Sequence, residues 1–315
     1  LTFAARAAGV LALFIAGVAL KLHTDRVVRV VEARGPIGEV LPLPSGEVHL
    51  LDEGKGRAVV LVHGSDGVMN DWPTSGLFAR VAARARTLAY DRPGHGFTPV
   101  PPGERVNLDL NVRMLRDLLR ARGVRRPVLL GHSYGASVAL AYAWAYPNAV
   151  AGLLLLAPTA YPRASLTRPL AHLILVPGLR ELITRVLILP VGRVLVELEG
   201  GRAFFPFAMP PAWRDMMLAL SRRPRQALAL AQENRTVGAE VGALARAYRA
   251  LKVPCTIVSG RFDQLTPHAA HAVPLACALP HARLVTVEGG HEVHWSHGEV
   301  VLRELLRLLQ ETADA

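Results

Sequence analysis

The sequence predicts an α/β fold: a mostly parallel, eight-stranded sheet with helices on both faces and an all-helical cap inserted after the sixth strand. Short apolar runs without polar alternation, such as Ala58–Val62 and Val128–Gly131, recur along the chain. That is the pattern of strands buried on both faces. Segments with helical periodicity lie between them, as in Leu108 to Arg122, which carries apolar residues at helical spacing (Leu108, Leu110, Val112, Leu115, Leu118 and Leu119). The rhythm stops after Pro158 and resumes at Pro254; residues between them read as helices and offer no convincing strand.

Composition bounds the answer. The chain has 315 residues, 51% hydrophobic and 19% charged, which suits one large domain with an insertion. The formal net charge of +11 comes from scattered Arg, the only lysines being Lys21, Lys55 and Lys252. No Arg run alternates with aromatics and no nucleic-acid module is present, so nucleic acid is not an expected partner. The excess reads as the Arg-for-Lys usage of a GC-rich genome, and it would also favour anionic lipid headgroups. Cys255 and Cys277 are too few for a disulfide framework, and both read as buried thiols in apolar surroundings.

Taken in order, residues 1–22 form a hydrophobic membrane-anchor or signal-like helix. Ala7 to Leu20 is an unbroken apolar run, and residues from Leu1 extend it across Arg6 to about the length that spans a bilayer. Lys21, Arg26 and Arg29 follow closely, which favours a retained anchor, and hence a bacterial inner-membrane location, over a cleaved signal at residues 17–19. Cleavage would instead make the protein secreted or periplasmic; an ordinary packed helix is the third reading. Basic residues on both sides leave the orientation open. Residues 23–158 make the first part of the core. It begins with alternating runs at 39–43 and 47–52 joined by Ser45-Gly46, a hairpin signal. Apolar strands follow at 58–62, 86–91, 127–131 and 149–157. Residues 159–250 form the cap, and 251–315 the rest of the core, with strands at 254–260 and 282–287 and a closing helix from Gly298 to Leu309.

The organising stretch is Pro127 to Gly135, a buried strand running into a G-x-S-x-G turn around Ser133, then an Ala-rich helix ending at Pro147. Such a turn holds its Ser at positive φ, and Gly131 and Gly135 give room where strand and helix pass closest. A Ser hydroxyl needs a base and the base an orienter. His291 ends the last strand and Asp263 follows the preceding one, both at the sheet's carboxyl edge.

Several motifs now stand together in order: HGSDG at 63–67, DRPGHG at 91–96, GHSYG at 131–135, GRFDQLTP at 260–267 and GGH at 289–291. On these the chain, from about Glu39 to Leu309, resembles the α/β-hydrolase superfamily in its cap-bearing branch. Residues 31–38 resemble the lead-in of bacterial members that begin with a membrane helix. The resemblance implies Ser133 as nucleophile, His291 as general base and then acid, and Asp263 as the acid that orients the imidazole. It implies an oxyanion hole from the backbone N–H groups of Ser65 and Tyr134. No cofactor and no metal are expected.

Rival residues have blander readings. His132 and His95 read as structural, and Asp91 as a turn former. Asp66 is a candidate substrate contact beside the oxyanion loop. His291-Glu-Val-His294 resembles a metal tract, but its second His falls at i+3 rather than i+4. Phe204, Phe205, Trp213 and Trp295 are candidate pocket walls, with cap packing as the alternative. A Ser nucleophile implies attack on a carbonyl, which disfavours epoxide and haloalkane chemistry. The expected activity is hydrolysis of a small to medium, mostly apolar carboxylic ester through an acyl-enzyme. Hydrolysis of a carbon–carbon bond in a vinylogous diketone by the same residues is the alternative, with Arg202 and Arg214 as candidate holders of a substrate carboxylate. A non-catalytic, membrane-tethered binding protein on the same fold is the reading from another class.

Overall fold

A computed structural model describes residues 3–33, 35–162, 172–220 and 223–313. Helix α1 (Phe3–Ala33) is followed by hairpin strands β1 (Glu39–Leu43) and β2 (Gly46–Glu53), then β3 (Ala58–Val62). Short helices α2 (Asp71–Thr74) and α3 (Leu77–Ala82) lead to β4 (Arg86–Tyr90), α4 (Leu108–Ala121), β5 (Val128–His132), α5 (Tyr134–Ala145) and β6 (Gly152–Leu156). The helical excursion after β6, the cap, contains α6 (Leu179–Leu182), a π-helical turn (Ile183–Leu187), α7 (Ile188–Phe204), α8 (Pro211–Leu220) and α9 (Pro224–Ala245). The chain returns through β7 (Cys255–Gly260), α10 (Ala272–Ala278), β8 (Ala282–Val287), α11 (Val293–Ser296) and α12 (Gly298–Glu311). Within the expected segments, Leu1 and Thr2 of the apolar run and residues 163–171, 221 and 222 of the cap lie outside the described residues.

The eight strands form one sheet in the order β1-β2-β4-β3-β5-β6-β7-β8. Antiparallel pairing is confined to β1 with β2 and β2 with β4; every pair from β4 through β8 is parallel. Strands β5, β6 and β7 are buried at every position, which explains their unbroken apolar sequence. One face is covered by α4, α5 and α10, the other by α3 and α12. After β3 the chain steps outward to β4, then returns past β3 to β5 and moves the other way. That reversal opens a crevice at the carboxyl ends of β3 and β5, where open α/β sheets place their ligands. The loops at 63–67 and 131–135 meet there.

Two local features fix this edge. Asn107 caps α4 by accepting the N–H of Leu110 on Oδ1 at 2.8 Å. A β-carbon on Gly131 would run into the carbonyl oxygen of Gly135, and one on Gly135 into that of Val62, so α5 leaves β5 at a distance only glycine permits.

Helix α1 runs well past the expected residue 22. Its stretch Ala8–Val30 has a mean hydropathy of 1.4 and is long and apolar enough to cross a membrane. At 1.5 Å per residue such a stretch reaches about 34 Å, against about 30 Å of hydrocarbon. Val10, Leu11, Phe14, Ile15 and Leu22 are exposed. Its second half leans on the π-helical turn of the cap, where Asp25 accepts from Lys21 at 2.7 Å and from Arg185 at 3.0 Å.

One expectation fails. Cys255 is buried in β7, but Cys277 is exposed. Helix α10 turns Ala272 and Leu275 inward, and a residue two positions past Leu275 lands on the opposite side of the helix.

Gly260 closes β7 where a β-carbon would run into the carbonyl oxygens of Gly289 and Gly290. Gly260→Ala is expected to lower stability by about 1–3 kcal/mol through overpacking. The midpoint of urea unfolding measures it, and an unchanged midpoint would contradict the close approach.

Candidate active site

Ser133 sits between β5 and α5 at φ 53° and ψ −117°, a left-handed conformation rare for a residue with a side chain. Its neighbours hold it there. Its N–H donates to Leu156 O at 2.9 Å, and its carbonyl accepts from Ala136 N and Thr159 N, both at 3.1 Å. The hydroxyl lies 3.4 Å from Thr159 Oγ1, its one hydrogen bond among the described residues. The side chain is therefore not bonded to His291 in this structure; free-enzyme contacts of this kind commonly tighten when substrate arrives.

Asp263 and His291 are brought together. His291 Nδ1 lies 2.8 Å from Asp263 Oδ2. Asp263 Oδ1 accepts the N–H groups of Leu265 and Thr266, both at 2.8 Å, an Asx turn that aims the carboxylate. Thr266 Oγ1 lies 2.8 Å from Oδ2 and 3.0 Å from Ala157 O. The backbone of His291 is fixed by the cap: its N–H donates to Ala203 O at 2.7 Å, beside a donation from Glu292 N at 3.2 Å. A β-carbon on Gly290 would collide with Ala203 O and Phe205 O. Burial pulls the His291 pKa down, but the Asp263 charge and hydrogen bond outweigh it and the pKa is raised above the ordinary histidine value. Burial acts against the Asp263 carboxylate, yet the His291 charge and the Thr266 contacts hold its pKa below the usual value.

The two expected donors flank the serine. Tyr134 is the first residue of α5, where backbone N–H groups lack helical acceptors. Among the described residues, neither Tyr134 N nor Ser65 N donates to any protein group. Gly64 brings the second donor close: a β-carbon there would lie 3.2 Å from Ser133 Cβ.

Beneath His291 lies a buried polar layer. The His132 ring is 4.8 Å from that of His291 and 4.7 Å from that of His294, and His132 Nε2 lies 3.2 Å from His291 O. Burial, then the neighbouring His294 and His291, push the His132 pKa well down, so it stays neutral. Asp71 binds His294 Nε2 at 2.7 Å and accepts from Trp295 Nε1 at 2.7 Å. Burial, then Asp71, Asp66 and Asp263, push the Glu292 carboxyl well up, favouring its protonated form. Ligand-capable atoms of Asp71, His132, Glu292 and His294 all lie within 4.8 Å of one another. The two His294 nitrogens face different carboxylates, Nε2 that of Asp71 and Nδ1 that of Glu292 at 3.7 Å. The layer acts as a hydrogen-bonded floor under the imidazole.

The other candidates separate. Asp66 keeps accessible surface, and desolvation raises its carboxyl pKa within reach of the His291 charge. Phe204 and Trp213 are packed edge to face, with ring centroids 5.3 Å apart, in a cluster with Val68, Met217 and half-buried Trp295. Phe205 instead faces outward, 46% exposed, against Phe262. Asp91, buried, accepts from Met69 N and Phe97 N at 2.8 Å each and pairs with His49 Nδ1 at 2.6 Å. His95 places Nε2 2.7 Å from Ser65 O. Sequence reading did not single out Thr159, Thr266, Arg92 or Glu233. Only Thr266 had a local signal, three residues after Asp263 as an Asx turn requires.

With this geometry in hand, the model of the alpha/beta hydrolase fold family matches residues 57–298. An uncharacterized protein of Mycobacterium tuberculosis is 28% identical over 251 residues, 76% of this chain and 71% of that protein. A 2-hydroxy-6-oxo-6-phenylhexa-2,4-dienoate hydrolase of Burkholderia cepacia is 26% identical, covering 85% of this chain and 92% of its own. Among solved structures, a thermophilic esterase from Thermogutta terrifontis superposes with a TM-score of 0.70 at 22% identity, covering 87% of this chain and 99% of that one.

The balance of burial against Asp263 makes a titration test. By NMR, His291 is expected to titrate above the ordinary value of about 6.5. In Asp263→Asn the main raising contribution is gone and burial remains, so the midpoint is expected to move down. A midpoint that does not move would show that Asp263 is not what holds the imidazole charge.

Proposed function

The chain belongs to the alpha/beta hydrolase family, and within it we propose a serine hydrolase that cleaves a small to medium, mostly apolar carboxylic ester through an acyl-enzyme. The observation that carries the reading is a serine at positive φ between two undonated N–H groups, at the same sheet edge as a buried Asp263–His291 pair. Ser133 Oγ attacks the ester carbonyl as its proton passes to His291 Nε2. The charge that develops on the carbonyl oxygen is met by the N–H groups of Ser65 and Tyr134, which need no reorganisation. Asp263 holds Nδ1–H, and so leaves Nε2 as the acceptor. Collapse breaks the carbon–oxygen bond, and the alcohol leaves with the proton from His291. Water then attacks the acyl group, giving its proton to His291. The second collapse releases the acid and returns the proton to Ser133.

Carbon–carbon hydrolysis by the same residues is the second reading, favoured by the named activity of the Burkholderia cepacia relative. Against it, Arg202 is paired with Glu199 at 3.2 Å and Arg214 with Glu197 at 3.0 Å, which leaves neither poised for a substrate carboxylate. For location, we propose that α1 is a retained membrane anchor, supported by its length and its exposed apolar residues.

Purified protein is expected to hydrolyse p-nitrophenyl acyl esters and to be labelled at Ser133 by a fluorophosphonate. Ser133→Ala should lose turnover by about a thousandfold or more. Absence of both turnover and label in the wild type rejects the proposal, and preference for a vinylogous diketone over every ester tried selects the second reading. For α1, the full-length chain is expected in the carbonate-washed membrane pellet, and recovery of uncleaved protein in the supernatant rejects the anchor.

A further inference from the structure

The loop that presents the Ser65 N–H is held from behind by the Arg92 guanidinium, beside the rings of His63, with Nδ1 2.8 Å from Gly64 O, and His95, with Nε2 2.7 Å from Ser65 O. Arg92, fully buried, donates Nε to His63 O at 3.1 Å and Nη2 to Gly64 O at 2.7 Å and to Ser65 O at 3.3 Å. In a trans peptide the C=O and N–H point in opposite directions. Tying Gly64 O to Arg92 therefore turns the Ser65 N–H away from the guanidinium. Gly64 itself abuts Ser133.

A buried cation requires a counter-charge, and here it comes from the cap. Glu233 of α9, itself fully buried, pairs with Arg92 through Oε1, places Oε2 3.4 Å from Nη2, and accepts from Ser65 Oγ at 2.7 Å. Gln226, on the same face of α9, donates Nε2 to Asp66 O at 3.1 Å and accepts from Gly96 N at 3.4 Å. Burial, then the Arg92 charge, lower the pKa of both His63 and His95, so neither neighbour competes as a cation.

We propose that Glu233 and Arg92 are a positioning pair for the oxyanion donor. The cap supplies the carboxylate that holds the guanidinium, and the guanidinium sets the Gly64–Ser65 peptide. The cap is thus a working part of the site as well as its roof. The inference rests on the serine-hydrolase reading above. Glu240, also on α9, provides a matched control: its Oε1 accepts from Leu108 N at 3.1 Å, a cap-to-core contact that does not touch the loop.

The test compares wild type, Glu233→Ala, Glu233→Gln and Glu240→Ala in the full chain, with a p-nitrophenyl ester as substrate and a trifluoromethyl ketone as mimic of the tetrahedral adduct. Glu233→Ala is expected to lower kcat by about ten- to hundredfold with little change in KM, because a displaced donor costs transition-state stabilisation specifically. The ketone's inhibition constant should rise by the same factor. Glu233→Gln, which can still accept from Ser65, should recover part of the loss and serves as the reading variant if the alanine form does not fold. Glu240→Ala should leave kcat within about twofold of wild type, since losing the hydrogen bonds from Leu108 N and Thr236 Oγ1, neither of which reaches the loop, acts on stability rather than on the donor. Wild-type kcat in both Glu233 variants, or an equal loss in Glu240→Ala, would overturn the positioning role while the esterase reading stands. A wild type with neither turnover nor fluorophosphonate label removes the reading beneath it and the proposal together.

Discussion

The site depends on three close approaches, two of which a β-carbon would forbid and the third of which it would crowd. Gly131 against Gly135, Gly135 against Val62, and Gly64 against Ser133 bring the ends of β3 and β5 and the start of α5 into one tight knot. Within it Ser133 is held at positive φ, a conformation of about 1–3 kcal/mol that persists only where the surroundings over-determine it. Here they do: Leu156, Ala136 and Thr159 all bond the Ser133 backbone. The strain and the placement share a cause, since the same turn that costs conformational energy puts the Ser133 hydroxyl at the start of a helix.

The cap reaches this knot twice. The carbonyl of Ala203, near the end of α7, takes the N–H groups of His291 and Glu292. Glu233 of α9 meets Arg92 and Ser65. Both the imidazole and the loop after β3 therefore have cap residues among their immediate supports. The polar layer of His132, Asp71 and His294 supports the imidazole from the core side, so His291 is wedged between the two parts of the protein.

Much of the fold was legible because its signals are local. Buried parallel strands read as apolar runs, the hairpin as Ser45-Gly46, and the edge loops as Gly-rich motifs, which single out Ser133, Asp263 and His291 as candidates from sequence alone. The Arg92–Glu233 contact was not legible: it joins residues far apart in sequence, and α9 shows no motif at Glu233. Cys277 was misjudged because apolar neighbours along the chain do not reveal which side of a short helix faces in. Phe205 shows the same limit, since it follows buried Phe204 directly and so points elsewhere.

The insertion of the cap between β6 and β7 has a consequence for biosynthesis. Strand β7 pairs with β6 although the whole cap separates them along the chain, so the sheet's second half is closed by distant partners, the kind of contact that forms slowly. The turn around Ser133 leaves the ribosome before the cap, and His291 leaves after it. A nascent chain thus carries the Ser133 hydroxyl and the Ser65 and Tyr134 N–H groups through about half of its synthesis before His291 is made, and these groups can meet only once the cap and the last strand have joined what was made first.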